Sequence, residues 1–363
     1  MSRLTSPLAL RCGLELPARI AMAPLTNCQS DSDGTLSETE RRWLVRRASD
    51  GFGVVSTCAA FVSAEGHAWD GQLGISDDRH IPGLRQLAGD ITAAGAVGIV
   101  QLHHGGKEAK TAPGPMLSTA DDAEQNTRGA TEADISRVIA DFVAAALRAE
   151  AAGFQGVEVH GANGYLFTQF LAPADNPRND GYGGDLVGRA RLLRETVRAV
   201  RAAVKPGFAV GVRLSPVDLW AQRGLRLEDS VQVGRWMAED GVDFVHLSLR
   251  DATGVAPHEP DLGPVARAFR DALPADVALF VVGGVWTLAD AQAAEAAGAD
   301  VVVVGKASIA HPDLPMAMQN PDFVPLRPPW TPEHLVASDV GPALLGYLSQ
   351  FPGMVVGGTP PRG

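Results

Sequence analysis

The sequence predicts an α/β fold, a (β/α)8 TIM barrel with a lid segment at its N-terminus and excursions on its C-terminal face. Two observations support this prediction. Apolar runs of strand length occur eight times along the chain, and segments rich in Ala, Leu, Glu and Arg separate them. Continuous apolar strands that alternate with helices indicate a parallel sheet buried on both faces. Eight such units in 363 residues favour a closed barrel over an open sheet.

The predicted strands have interiors of Val, Ile, Leu and Ala, and they cover residues 19–24, 53–57, 97–103, 156–160, 208–213, 244–248, 279–283 and 301–305. The helical patterns between them cover 132–152, 186–204, 229–240 and 288–297, with a short one at 167–171. Polar segments at 111–128 and 251–264 predict excursions on the active-site face. We therefore expect one barrel domain over residues 1–363, with a Pro- and Gly-rich tail from about 328 to 363 packed on or near it.

The composition argues against several classes of partner. The chain has 31 basic and 42 acidic residues, a formal net charge of −11, and its basic residues form no cluster longer than two. This charge pattern argues against nucleic acid and anionic membranes. Cys12, Cys28 and Cys58 lack the spacing of metal or redox motifs, which favours a reduced, cytoplasmic compartment. The sequence also shows neither a signal-peptide pattern nor an apolar run of membrane length.

His160, Asn163 and Tyr165 follow directly after the fourth predicted strand. Parallel α/β folds carry their chemistry at the carboxyl ends of strands. Two neutral donors three residues apart can converge on one substrate oxygen, and a nearby phenol can deliver a proton. Two structural alternatives stay open at this point, namely Asn163 as a helix N-cap and His160 as a hydrogen-bonded core histidine.

Small or polar residues stand at the carboxyl end of every predicted strand. They are Thr26, Ala60, Gln101, His160, Arg213, Ser248, the pair Gly283 and Gly284, and the pair Gly305 and Lys306. In a barrel all these positions face one bowl. Each has a structural alternative: Gln101 as a loop residue, Arg213 as the partner of Glu158, and the glycine pair as a tight turn. Their presence at all eight strand ends favours a binding site.

The last two strand ends predict a phosphate site. Gly283, Gly284 and Gly305 leave backbone N–H groups accessible, and Lys306 adds a positive charge, after the two strands where barrels bind phosphate. Arg213 could stabilise negative charge on a ring, and the Gln101 amide could pair with both its donors and its acceptors. The residues alone thus predict a phosphorylated ligand with an acceptor-rich ring.

The chain resembles the old yellow enzyme family of FMN-dependent ene-reductases over nearly its whole length. The motifs that carry the resemblance are RIAMAPLT at 19–26, QLHH at 101–104, HGANGY at 160–165, QFLAP at 169–173, NPRNDGYGG at 176–184, VRLS at 212–215 and VGG at 282–284. The His-x-x-Asn-x-Tyr core followed by Tyr-Gly-Gly is highly specific. DGTLSE at 33–38 and HHGG at 103–106 are similar to one bacterial branch described as NADH:flavin oxidoreductases.

The resemblance implies a role for each strand end. Ala23, Pro24 and Leu25 would line the flavin through backbone atoms, and Thr26 would lie near its O4 and N5. Ala60 and Gln101 would hold the pyrimidine edge, and Arg213 would hold the N1–O2 side. The phosphate would be bound by Gly284, Gly305 and Lys306. His160 and Asn163, above N5, would hydrogen-bond the substrate oxygen, and Tyr165 would be the proton donor.

Three positions depart from the family pattern. Lys306 replaces the usual phosphate-binding Arg, so that a point charge replaces a bidentate clamp. Cys28 stands where one bacterial subgroup has a substrate-contacting Tyr. The tail has no clear match to an arginine that some relatives lend across a dimer interface, so a monomer and a homo-oligomer both stay open.

The predicted function is a ping-pong reductase. NADH or NADPH would reduce tightly bound FMN, and an electron-poor alkene such as an enone, nitroalkene or maleimide would then accept the hydride. The main alternative is a flavin-dependent quinone or nitro reductase, or a diaphorase without a dedicated alkene. A flavin-free isomerase or lyase has less support, because the strands offer neither a Schiff-base Lys nor paired carboxylates. A barrel that only binds its ligand is the remaining alternative.

Overall fold

The computed structural model describes residues 3–218 and 222–358, and eight parallel strands close into one barrel there. The strands are β3 Ile20–Met22, β4 Val54–Phe61, β5 Val97–His103, β8 Gly156–Gly161, β9 Ala209–Leu214, β10 Phe244–Ser248, β11 Ala278–Val282 and β12 Val301–Val304. The order around the barrel is β10-β11-β12-β3-β4-β5-β8-β9. The predicted fold class is confirmed, and each barrel strand overlaps a predicted one.

Within residues 3–218 and 222–358, four short strands lie outside the barrel. β1 (Leu8–Ala9) and β2 (Glu15–Leu16) form a hairpin, and its Leu10 and Leu16 join the apolar cluster inside the barrel with Val54, Val97 and Phe244. The hairpin is therefore the lid segment, and it covers the N-terminal end of the barrel. β6 (Met116–Ser118) and β7 (Thr127–Gly129) pair within the excursion predicted after β5.

Helices connect the strands and cover the barrel. They are α1 Glu38–Ser49, α2 Ile81–Ala93, α3 Glu132–Ala152, α4 Leu166–Leu171, α5 Leu186–Ala203, α6 Leu227–Glu239, α7 Val265–Ala272, α8 Leu288–Ala296, α9 Ala307–Ala310, α10 Leu314–Ala317, α11 Pro332–Ala337 and α12 Pro342–Ser349. Local chemistry sets their ends: α3 begins at a capping box of Thr131 and Asp134 and ends at Gly153, whose φ is 93°. Across the described ranges, no helix is both long and apolar enough to cross a membrane.

β4 is longer than predicted. The sequence indicated a strand that ends at residue 57, but β4 continues to Phe61. Its register with β5 shifts between Ser56 and Ala59, and pairing then resumes from Ala59 with Gln101 to Phe61 with His103. This irregularity re-aims the end of the strand, as β-bulges commonly do beside active sites.

The C-terminal helices pack on α1 and α9. Arg47 of α1, which is fully buried, donates to the carbonyl oxygens of Ser308, Ile309 and Ser338 at 2.9–3.1 Å. The backbone N–H of Gly341 donates to Gln29 Oε1 at 2.9 Å. These bonds hold the start of α12 beside the loop that follows β3.

The packing at Gly211 generates a stability prediction. A Cβ there would lie 2.0 Å from Cζ of Phe244, inside the barrel. We expect Gly211→Ala to lower the free energy of unfolding by about 1–3 kcal/mol, because the Phe244 ring must move. Gly89→Ala is the control: this exposed glycine of α2 has no neighbouring atom within 4 Å of its Cβ position, so the change should stabilise by about 1 kcal/mol. Urea unfolding of both variants measures the difference, and an unchanged Gly211→Ala would show that the barrel interior is loosely packed.

Candidate active site

The strand register brings three polar side chains to one level of the bowl. Arg213 on β9 pairs with His160 on β8 at one side and with His246 on β10 at the other. Paired residues of neighbouring strands point to the same face, so all three side chains project into the barrel. Their relative exposures are 7%, 4% and 1%, which removes them from bulk water. His160 and Arg213 were predicted here, whereas His246 was not.

Glu158 provides a buried carboxylate one layer below. Its two oxygens accept hydrogen bonds from Gln101 Nε2 and His246 Nδ1, each at 2.7 Å. Burial raises the pKa of Glu158, but the neighbouring His246, Arg213 and Gln101 outweigh burial and leave the pKa below its ordinary value. The group is therefore ionised at neutral pH. Gln101 is thus a buried member of this network, and the alternative of an ordinary loop residue is wrong.

The guanidinium of Arg213 makes its hydrogen bonds to groups other than Glu158. Its Nη1 donates to the Pro24 carbonyl oxygen at 3.5 Å, and its Nη2 donates to Ser248 Oγ at 3.1 Å. Glu158 acts on it through charge at longer range. The sequence-based alternative that Arg213 only neutralises Glu158 is therefore incomplete, because the guanidinium also reaches the loop after β3 and the end of β10.

Several buried nitrogens of the bowl have no hydrogen-bond partner in the described part of the chain, among them His160 Nδ1, Arg213 Nε and His246 Nε2. Buried polar atoms are nearly always hydrogen-bonded in folded proteins, so this group indicates a ligand. Arg213 Nε can only donate. His246 Nε2 accepts in the neutral ring, because Nδ1 carries the proton that bonds Glu158. A ring with both acceptors and donors along its edge fits this set.

Aromatic rings form one wall of the bowl. The Tyr165 ring lies 4.3 Å from the His103 ring and 5.3 Å from the His160 ring, centroid to centroid, and Trp69 lies 6.3 Å away. Burial raises the pKa of Tyr165 to about 12, so its hydroxyl keeps its proton at neutral pH. Burial, together with His103 and Arg213, lowers the pKa of His160 well below its ordinary value. The wall therefore offers a neutral imidazole beside a protonated phenol.

Asn163 lies at the rim, with an exposed side chain and a left-handed backbone at φ 62°. Its Oδ1 accepts a hydrogen bond from Ser248 Oγ at 3.0 Å. The alternative that Asn163 is only a helix N-cap is wrong, because Tyr165 occupies that position of α4 and α4 has no side-chain cap. Asn163 is thus held by hydroxyls at the ends of β9 and β10, and its NH₂ group is left to meet a ligand.

The loop after β3 closes another side of the bowl. Ala23 and Pro24 are buried, and Leu25 and Thr26 are half-buried. The Ala23 N–H donates to the Val304 carbonyl oxygen at 2.9 Å, which ties the loop to β12. These positions agree with a backbone surface that a planar ring could lie against.

Cys28, in the same loop, has a left-handed backbone at φ 54°. Burial, with Glu40 and Asp70, raises the pKa of its thiol to about 11, so the thiol is protonated at neutral pH. Glu40 is fully buried and accepts from Asn27 Nδ2 at 2.9 Å and from Cys58 Sγ at 3.0 Å. This buried carboxyl fixes the loop from below.

The predicted phosphate residues divide into two groups. A Cβ at Gly283 would lie 2.5 Å from the backbone nitrogen of Ala252, so the close approach of the loop after β10 explains this glycine without a ligand. Gly284, at φ 66°, and Gly305 have no atom closer than 3.3 Å to a Cβ position. Lys306 is exposed. The last three leave an open backbone surface beside a cation.

Ala60 does not face the bowl with its side chain. It pairs with Leu102, and both side chains belong to the cluster between barrel and helices, whereas Gln101 pairs with Ala59. The register shift in β4 causes this arrangement. Only the backbone of Ala60 is available to a ligand in the bowl.

Sequence reasoning missed Tyr347 altogether. This residue of α12 is partly buried, and its hydroxyl interacts with the Thr26 hydroxyl and lies near Cys28. After burial, the nearby Tyr347 hydroxyl is a further cause of the raised pKa of Tyr165. The tail of the same chain thus contributes a second phenol to the bowl. A tyrosine on a C-terminal helix has no sequence pattern that links it to the loop after β3, so only the packing of α12 could reveal it.

Comparison with known proteins shows the family to which the chain belongs. The model of the NADH:flavin oxidoreductase / NADH oxidase family matches residues 3–321. The chain belongs to this family. It is 34% identical over 324 residues to the probable NADH-dependent flavin oxidoreductase YqiG of Bacillus subtilis, covering 85% of this chain and 86% of that protein. It is 37% identical over 251 residues to an NADPH dehydrogenase of Bacillus licheniformis, covering 68% of this chain and 73% of that one.

A solved structure of similar fold is that of morphinone reductase. A mutant of morphinone reductase in complex with tetrahydroNAD superimposes with a TM-score of 0.77 at 26% identity, covering 92% of this chain and 94% of that one. The protein is thus an NAD(P)H-dependent flavin oxidoreductase of the old yellow enzyme type. The predicted family and enzyme class are confirmed.

Buried histidines of this flavin oxidoreductase generate a pH prediction. Burial lowers the pKa of His104 to about 4. Between these two pKa values His104 stays neutral in the folded state but is protonated in the unfolded state. Its contribution to the free energy of unfolding is therefore complete above the unfolded pKa of about 6.5, and it is lost as the pH falls from there toward 4. We expect the unfolding free energy to fall by up to about 1.4 kcal/mol per pH unit per such histidine.

His104→Asn tests this expectation. Asn can accept the Gly106 N–H, as His104 Nδ1 does at 3.1 Å, but takes up no proton in this range. Urea unfolding between pH 7 and pH 5 should show a shallower slope in the variant. His258→Asn, at an exposed position, is the control and should keep the wild-type slope. Equal slopes in all three proteins would mean that His104 is not buried and neutral.

Proposed function

We propose that this flavin oxidoreductase uses FMN and NADH or NADPH to reduce electron-poor alkenes. The observation that carries the proposal is the wall of the bowl: a neutral His160 and a protonated Tyr165 lie 5.3 Å apart, ring to ring, on the same side as the buried guanidinium of Arg213. His160 can donate a hydrogen bond to a substrate oxygen, and Tyr165 can donate a proton to a substrate carbon. Arg213 lies beside them and provides a cation suited to a reduced ring.

FMN fits the unpartnered atoms of the bowl. Arg213 would hold the N1–O2 side, where reduction places negative charge, and its open Nε is a donor. Gln101 is already oriented by Glu158 and would meet the pyrimidine edge. Ala23, Pro24, Leu25 and Thr26 would line the ring, the backbone of Ala60 would border it, and Gly283, Gly284, Gly305 and Lys306 would surround the phosphate. We propose that residues 1–363 form a single FMN-binding barrel domain.

The chain's own side chains would activate the alkene. His160 and Asn163 would donate hydrogen bonds to its carbonyl or nitro oxygen and stabilise negative charge that develops there. Tyr165 would protonate the α carbon, and its hydroxyl holds a proton at neutral pH. Cys28 would border the substrate as a neutral thiol. Bound FMN supplies the chemistry of hydride acceptance from the nicotinamide and hydride donation to the β carbon.

Lys306 provides the first test of the cofactor assignment. Lys306→Ala should reduce the binding free energy of FMN by roughly 1.5–3 kcal/mol, the value of a charged hydrogen bond. The purified variant should therefore be partly free of FMN. Lys205→Ala, which removes an exposed lysine near Glu150, is the control and should keep full flavin content. The flavin absorbance per protein and FMN dissociation on dilution measure the effect. Wild-type retention in Lys306→Ala would count against a phosphate contact.

Tyr165 tests the reaction itself. Tyr165→Phe should leave flavin content and reduction by NAD(P)H nearly unchanged, because the hydroxyl is needed only once hydride moves. Reoxidation by cyclohexenone should slow by roughly 10²–10⁴-fold, the usual effect of a positioned general acid. A quinone needs no protonation at carbon, so quinone reoxidation should stay fast. Stopped-flow absorbance separates the two half-reactions.

Tyr182→Phe is the matched control, since the Tyr182 hydroxyl donates to Glu195 at 2.9 Å outside the bowl. It should behave as wild type toward both acceptors. If Tyr165→Phe keeps fast enone reoxidation, another acid supplies the proton. If the wild-type enzyme reduces quinones or nitro compounds but no alkene, the alternative of a quinone or nitro reductase holds instead.

A further inference from the structure

Ser248 lies at the end of β10 and contacts two residues of the proposed site. Arg213 Nη2 donates to Ser248 Oγ at 3.1 Å, and Ser248 Oγ donates to Asn163 Oδ1 at 3.0 Å. The residues come from three strand ends that lie 35 and 85 positions apart in sequence. The sequence placed Ser248 at a strand end and assigned it no role.

The direction of these hydrogen bonds is determined by the chemistry of the groups. A guanidinium has donors only, so the Ser248 oxygen must accept from Arg213. A hydroxyl has a single proton, and here that proton points to Asn163. The oxygen of the carboxamide is then occupied, and the NH₂ group of Asn163 is the end left for a ligand.

Ser215 supports the same orientation from β9. The Asn163 backbone N–H donates to Ser215 Oγ at 2.8 Å, and Ser215 Oγ lies 3.4 Å from Asn163 Oδ1. Rotating the carboxamide by half a turn would place its NH₂ group against both hydroxyls. The Ser248 proton would then lose its acceptor, at a cost comparable to one hydrogen bond. Ser248 thus favours one of two nearly isosteric orientations of an exposed side chain.

We propose that Ser248 is a positioning residue that orients Asn163 as a hydrogen-bond donor and couples it to Arg213. The inference rests on the proposed function, in which Asn163 binds the substrate oxygen and Arg213 binds the flavin. It predicts that the site prefers ligands with an acceptor atom, such as a phenolate, a carbonyl or a nitro group, over ligands that present a donor. Ser248 makes this selection without touching the substrate.

The test uses the flavin-loaded enzyme and titration with p-chlorophenol, followed by the long-wavelength absorbance of the phenolate over oxidised flavin. Ser248→Ala should weaken binding about three- to tenfold, the fold-change expected for one neutral hydrogen bond. Ser248→Thr should restore it, because the hydroxyl remains and a cavity of about 360 Å³ bordered by Ser248 and Asn163 can take the added methyl group. Ser136→Ala is the control, because the Ser136 hydroxyl donates to the Glu132 carbonyl oxygen within α3. This variant should bind p-chlorophenol as the wild type does.

A double mutant separates positioning from general damage. In an Asn163→Ala background, Ser248→Ala should have no further effect on phenol affinity, since the group that it orients is gone. An equal loss in both backgrounds, or a failure of Ser248→Thr to restore affinity, would overturn the proposal. If Asn163→Ala itself leaves phenol binding unchanged, the substrate site of the proposed function is wrong. If Asn163→Ala weakens binding but Ser248→Ala does not, only the positioning role fails.

Discussion

A buried carboxylate, Glu158, organises the floor of the bowl. An isolated ionised group with 1% exposure would be costly, so its charge depends on the hydrogen bonds from His246 and Gln101 and on the nearby cation of Arg213. In return, the carboxylate determines how each neighbour is oriented. It accepts one hydrogen bond from the Nδ1–H of His246 and one from the side-chain amide of Gln101. Arg213 remains charged but turns toward Pro24 and Ser248.

The bowl combines rigid and accessible parts. His160 and Arg213 are buried and are held by the barrel strands, whereas Asn163 and Lys306 are exposed at its rim. Residues on packed strands keep their geometry when a ligand enters, and residues at the rim can exchange water for ligand. The loop after β3 belongs to the rigid part because the buried Glu40 ties it down. The exposed part depends on contacts between the ends of nearby strands, such as that of Ser248 with Asn163.

Local patterns were sufficient for the architecture. Apolar runs of strand length and amphipathic helices recur regularly, and both signals depend only on neighbouring residues. The bounds of α3 match the predicted 132–152, since its capping box and terminal glycine are local features. β4 was underestimated, because continuation past residue 57 depends on pairing with β5 across an irregular register. For the same reason the sequence suggested that Ala60 faces the bowl, although its side chain packs outward.

The sequence by itself determined the fold class, the family and the polar residues at the strand ends, because strand periodicity and the His-x-x-Asn-x-Tyr motif are written in consecutive residues. Only the tertiary structure decided which of these residues meet. Glu158 accepts a hydrogen bond from His246, which lies 88 positions away in sequence, and Ser248 contacts Asn163, which lies 85 positions away. Tyr347 of α12 contacts Thr26. Closure of the barrel and packing of the tail create these contacts, and neither is encoded in the spacing along the chain.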